Sequence, residues 1–228
     1  VDRAAATAIG HRWGAVRFVA RIVVCIVLTL GIGAGTAGCA ANDGSGTLTP
    51  VMVEPITPPP FGSRDTAYNP PRAAPPLQLT DQDGRPFDLS SLRGTPVFVY
   101  FGYTHCPDIC PTTIADLRDA IARAAVPAQV VYVTIDPARD DVAAMKQYVS
   151  WYKAGYIGLT GTESQIAEAA TAWGVSYRRL ESASASGYAM AHSTDTYLID
   201  ADGALRHHLF FGAGADLIAR RLREVAGR

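Results

Sequence analysis

Neither sign of charge dominates this chain: 20 Lys and Arg stand against 21 Asp and Glu, a formal net charge of −1. That balance gives no electrostatic footprint for nucleic acid, and no basic patch interleaved with aromatics occurs. Proline is frequent up to Pro137 and absent beyond it, so no cis-proline turn can form in the C-terminal portion. Cysteine is scarce, with four residues in three different settings, and no pair has the Cys-x-x-Cys spacing of common redox dithiols. What is present is 228 residues of near-average hydrophobicity, enough to bury one domain-sized core once the ends are set aside.

The N-terminus reads as a targeting segment. Arg3, Arg12, Arg17 and Arg21 form a basic region ahead of the apolar run Ile22 to Leu30, and small residues follow as far as Thr36-Ala-Gly-Cys39. A positive flank, a short apolar core and a small-residue site describe an export signal over residues 1–39. The small residues before Cys39 resemble the lipobox of bacterial lipoproteins, in which the cysteine is lipidated and becomes the first residue. Thr36 stands where leucine is usual. The alternative is an uncleaved signal anchor, because no charge interrupts Ile22 to Ala41 and that length just spans a bilayer. Either way the arginines stay inside, and the rest of the chain is expected on the extracytoplasmic face of the cell membrane. Cys25 lies within the apolar core of the signal and reads as filler.

Residues 40–76 are rich in Gly, Ser, Thr and Pro, with Pro58-Pro-Pro60, Pro70-Pro71 and Pro75-Pro76. Such a stretch favours extended polyproline geometry over a packed element and is expected to tether the domain that follows.

That domain, 77–228, is organised around one run. Val97 to Phe101 is continuously apolar, β-branched and aromatic, the pattern of a strand buried on both faces. A glycine, two cysteines flanked by prolines and a helical pattern follow it. Before this run, Leu77–Thr80 and Pro86–Leu89 flank an Asp-Gly turn and read as a hairpin. After it, Ile114, Leu117 and Ile121 recur at helical spacing, and Gln129 to Ile135 reads as a second buried strand. Asp140 is expected to cap a helix from Val142 to about Tyr152. Ile157–Leu159 suggests a strand, and Thr162-Glu-Ser-Gln165 fits a capping box opening a helix to about Trp173. Val175–Leu180 is strand-like, Thr194–Asp200 and Ala204–Phe211 form a hairpin about a second Asp-Gly, and Ala215–Val225 closes as a helix. This order predicts an α/β fold, a mixed sheet with helices on both faces, of thioredoxin-like topology.

Cys106 and Cys110 are four apart, which on a helix would set their Cβ atoms about 5–6 Å from each other. A relaxed disulfide prefers roughly 3.5–4.5 Å. Pro107 suits a first helical position and leaves Cys106 at the cap or in the loop, so both a disulfide and a shared metal ion stay open. The positive end of a helix favours thiolate. In a thioredoxin-like topology the segment Tyr188 to Asp200 passes the cysteine loop, which puts His192 where a third ligand would stand. Two thiolates and an imidazole form a soft set that suits copper as Cu(I) or Cu(II), whereas a closed zinc site would want a fourth ligand.

Gly102-Tyr-Thr-His-Cys-Pro-Asp-Ile-Cys-Pro-Thr-Thr113 closely resembles the signature of the Sco/SenC family. Thr134-Ile-Asp-Pro-Ala-Arg-Asp140, Gly158-Leu-Thr-Gly161 and His192 ahead of Tyr-Leu-Ile-Asp-x-x-Gly203 match in order. The resemblance covers about Pro76 to the C-terminus. It implies a membrane-tethered, thioredoxin-fold protein that binds copper through Cys106, Cys110 and His192. It implies a role in delivering copper to the binuclear centre of cytochrome c oxidase subunit II, or in reducing that centre's cysteines. The family often has Asp before the ligand histidine, and here Ala191 stands there. Met190, two before His192, shares its face in an extended segment and reads as packing. His105 reads as an exposed loop residue. His207 and His208 point opposite ways along a strand and are not expected to chelate together.

Two other activities compete with copper binding. A thiol-disulfide reductase would use Cys106 to attack and Cys110 to resolve, with no need of His192. A peroxidase of the peroxiredoxin kind would share the fold, but Phe101 replaces the proline of that family's Pro-x-x-x-Thr-x-x-Cys run.

Overall fold

A computed structural model describes residues 64–227 apart from 153 and 182–186. The export signal, Cys25, Cys39 and most of the tether therefore lie outside the described residues. Strands β1 (Asp65–Ala73), β2 (Gln78–Asp81), β3 (Pro86–Asp88) and β4 (Val97–Gly102) come first, then helix α1 (Ile109–Ala124) and β5 (Gln129–Thr134). Helix α2 (Val142–Ser150), β6 (Ile157–Thr160) and α3 (Glu163–Ala172) follow. The chain continues with β7 (Tyr177–Glu181), β8 (Tyr188–His192), β9 (Thr196–Ile199), β10 (Ala204–Leu209) and α4 (Gly214–Ala226).

Eight strands form one mixed sheet in the order β1-β10-β9-β4-β5-β6-β2-β3. β4 runs parallel to β5 and antiparallel to β9, so it lies at the centre, and every one of its residues is buried. Its alternation decides what each face meets. Tyr100 and its neighbour Tyr132 on β5 turn to one side, where Tyr132 packs on Tyr148 of α2 with ring centroids 4.9 Å apart. α1 and α4 pack on each other on that side. Phe101 turns to the other side and meets Trp173, which caps the end of α3, at 6.1 Å. The expected mixed sheet with helices on both faces is the one observed.

Three local features differ from the sequence reading. Residues 65–73, read as tether, form the edge strand β1 against β10. The register shifts between Ala67 and Arg72, so Pro70 and Pro71 fall in the irregular stretch, where a missing N–H costs no ladder hydrogen bond. Asp141, not Asp140, caps α2 by accepting the Ala144 N–H at 2.8 Å. The segment leading to β9 is itself a strand, β8, and it pairs with β7 in a separate two-stranded sheet. The capping box of Thr162 and Gln165 forms as read.

Candidate metal centre

The cysteines sit where β4 ends and α1 begins. Gly102 closes β4 because no side chain fits: a Cβ there would lie 2.5 Å from the Tyr132 hydroxyl and 2.9 Å from Tyr100 Cε1. The loop then turns through Tyr103 and Thr104 and reaches Cys106 before the helix starts at Ile109. Cys110 is thus in the first turn of α1 and fully buried, whereas Cys106 is outside the helix and half-buried. Asp108 occupies the N-cap position without a side-chain cap bond. The Cys106 sulfur accepts the Cys110 N–H instead, at 3.4 Å. A helix N-terminus leaves such donors free, and a thiolate is well suited to take one.

No disulfide joins the two cysteines, and the proton of the Cys110 thiol is shared with the Cys106 sulfur. The Cys106 sulfur is held as thiolate, its pKa lowered to about 3, first by a hydrogen bond from the Cys110 thiol. Hydrogen bonds from the Cys110 and Asp108 amides act the same way, against the cost of burial. The same contact, together with burial, pushes the Cys110 thiol well above its ordinary range. An acid buried beside an anion keeps its proton.

His192, at the end of β8, completes the cluster. Its Nε2 lies 3.7 Å from Cys110 Sγ, although 82 positions separate them. Its Nδ1 lies 2.6 Å from the Ser193 carbonyl oxygen, which can only accept, so Nδ1 carries the ring proton and Nε2 presents a lone pair to the sulfur. A hydrogen-bond acceptor behind an imidazole fixes its tautomer and orients the ring. Ser193 supplies that acceptor from its backbone, and Ala191 belongs to the opposite face of β8. The Tyr103 and Tyr100 rings stand edge-on to the imidazole, with centroids 5.9 Å and 6.4 Å away.

Two ligands about 2.0 and 2.3 Å from one ion span roughly 3.7 Å when their bonds diverge by about 120°. The Cys110–His192 separation fits that span. Among the described residues, no group of three or more His, Cys, Asp or Glu is already spaced as a finished metal site. The other residues weighed from sequence take different roles. Met190 packs against the hydrophobic core and lines a cleft of about 380 Å³ with Ile135 and Tyr188. His105 is 46% exposed, with Nδ1 3.0 Å from Thr104 Oγ1. His207 and His208 diverge as expected, His207 toward α4 and His208 toward Asp195 and Tyr197.

Asp140 was missed as a site residue by sequence reasoning. It is fully buried behind the cysteine loop, where it accepts hydrogen bonds from Thr104 and Thr134. Its adjacency to Asp141 masked it, because only one of the two can cap α2.

Fold and site together define a thioredoxin-like domain whose paired thiols face an imidazole. The SCO1/SenC family model matches residues 65–227, and the chain belongs to that family. A candidate copper-binding protein of Stutzerimonas stutzeri is 37% identical over 161 residues, covering 68% of this chain and 77% of that protein. The crystal structure of Arabidopsis thaliana ScoI with copper bound is 30% identical, with a TM-score of 0.64 over 67% of this chain and 97% of that one. Bradyrhizobium japonicum ScoI, also with copper bound, is 32% identical, with a TM-score of 0.59 over 68% and 99%.

Proposed function

We propose that the chain is a membrane-tethered copper carrier. It holds one copper ion through Cys106, Cys110 and His192 and passes it by ligand exchange to the binuclear copper centre of cytochrome c oxidase subunit II. The observation that carries this reading is the 3.7 Å approach of the His192 Nε2 lone pair to Cys110 Sγ, beside a Cys106 thiolate. Thiolate and imidazole are the donors copper prefers. Relatives solved with copper bound support the cargo, and the Sco family is one of cytochrome c oxidase assembly proteins. The tether is the lipidated Cys39 or an uncleaved anchor over 22–41, on the extracytoplasmic face of the cell membrane. Among the described residues no helix is long and apolar enough to cross a membrane.

Cu(I) loading of the 64–228 domain tests the centre. Wild type should bind one copper, Cys106→Ser and Cys110→Ser should lose it, and His192→Ala should bind it more weakly. A wild-type domain that takes up no copper yet reduces a model disulfide would overturn the carrier in favour of the reductase. Cys39→Ala tests the anchor: release of the protein from the membrane fraction supports lipidation, and retention points to the uncleaved segment.

A further inference from the structure

The strand that brings His192 to the cysteines has no ladder of its own to the main sheet, since β8 pairs with β7 alone among the described residues. Side chains must therefore set its position. Tyr188, Met190 and His192 alternate along β8 and share the face turned to the domain body. Tyr188 is held through its hydroxyl, its carbonyl and its ring. Its hydroxyl donates to Asp136 Oδ1 at 2.7 Å, and its carbonyl accepts from Arg139 Nη1 at 3.0 Å. Its ring lies 3.6 Å from the Arg139 guanidinium carbon and 3.8 Å from that of Arg179. Asp136 is buried, and its second oxygen takes the Arg139 Nε.

Asp136 and Arg139 belong to the turn that follows β5, and that same turn ends in Asp140, which holds Thr104 of the cysteine loop. One short segment thus grips both halves of the centre. We propose that Asp136, Arg139 and Tyr188 are positioning residues for His192, fixing the reach of β8 so that the imidazole meets Cys110. The clamp acts at the far end of a strand of about 13 Å, which transmits position because Met190 packs beneath its middle. Its bearing on copper rests on the carrier reading above.

Tyr188→Phe removes only the hydroxyl and keeps the ring between its two guanidinium groups. Cu(I) affinity is measured against a chromophoric chelator in wild type, Tyr188→Phe, His192→Ala and the double variant. Hydrogen exchange of the β8 and β4 amides is followed in the metal-free protein. Tyr188→Phe should weaken copper binding roughly tenfold, the worth of one hydrogen bond to a buried charge. It should have no further effect once His192 is gone. Exchange should quicken in β8 and stay unchanged in β4. Equal weakening in both backgrounds, or unchanged β8 exchange, overturns the clamp. If His192→Ala binds copper as tightly as wild type while Tyr188→Phe still loosens β8, the ligand role of His192 falls and the clamp on the strand stands.

Discussion

Asp140 accepts two hydrogen bonds from Thr104, 36 positions earlier in the chain: the backbone N–H at 2.9 Å and the hydroxyl at 2.6 Å. The Thr134 hydroxyl adds a third at 2.6 Å. Thr104 stands two residues before Cys106, so this buried carboxylate sets the direction in which the cysteine loop leaves β4. Its own backbone is tied as well, the carbonyl accepting from Thr160 Oγ1 at 2.6 Å.

Asp140→Ala should therefore cost about 2–4 kcal/mol, because it strands the Thr104 amide and the Thr134 hydroxyl without an acceptor in a buried site. Urea unfolding of the metal-free domain gives the value. A loss below about 1 kcal/mol would mean that water replaces the carboxylate and that the loop is not held by it.

The two cysteines should differ in reactivity in the metal-free, reduced protein. With its pKa held near 3, Cys106 is thiolate at pH 5, and Cys110 keeps its proton. Iodoacetamide should alkylate Cys106 and spare Cys110, at a rate nearly flat from pH 5 to 8 where an ordinary thiol gains about tenfold per pH unit. Cys110→Ala removes the strongest of the donors to Cys106 and should move the profile to higher pH. Mass spectrometry of the labelled peptides reads the outcome, and equal labelling of both cysteines at pH 5 would contradict the shared proton.

Burial and the neighbouring Arg221 hold the His207 imidazole below its ordinary value of 6.5, with Arg206 adding to the effect and Asp65 and Glu224 opposing it. A folded-state value below the unfolded one means that the unfolded chain binds the proton first. Stability should be complete above about pH 6.5 and fall as pH drops from there toward the folded value, at no more than about 1.4 kcal/mol per unit. His207→Gln should flatten that part of the profile. Thermal unfolding of both proteins between pH 7.5 and 5 makes the comparison, and parallel curves would remove His207 from the account.

Much of this architecture was legible in local pattern. The unbroken apolar run of β4, the 3.6-residue spacing of Ile114 and Leu117, the capping box at Thr162 and both Asp-Gly hairpins are signals carried by near neighbours. The features that differed depend on distant partners. β1 was hidden by its prolines, which an edge strand accepts once its ladder is interrupted. β8 was hidden because Tyr188-Ala-Met-Ala-His192 carries too weak an alternation to announce a strand, and its pairing is with β7 across a loop. Asp140 and Asp141 are equivalent by position, and only packing separates a buried acceptor from an exposed helix cap.

The amino-acid order alone settles which donors exist and their chemical softness: two cysteines at the mouth of a helix, one histidine 82 positions from the second of them, and no proline to occupy the late turn. Ionisation, tautomer and reach are matters of tertiary contact. Cys106 is the thiolate because α1 and the Cys110 thiol both point donors at it, and Nε2 faces the sulfur because the Ser193 carbonyl holds Nδ1. His192 meets Cys110 because the Asp136–Asp140 turn holds the cysteine loop with one carboxylate and, through Tyr188, the histidine strand with another. Local sequence cannot encode such convergence, since each contact joins segments that become neighbours only when the sheet has formed.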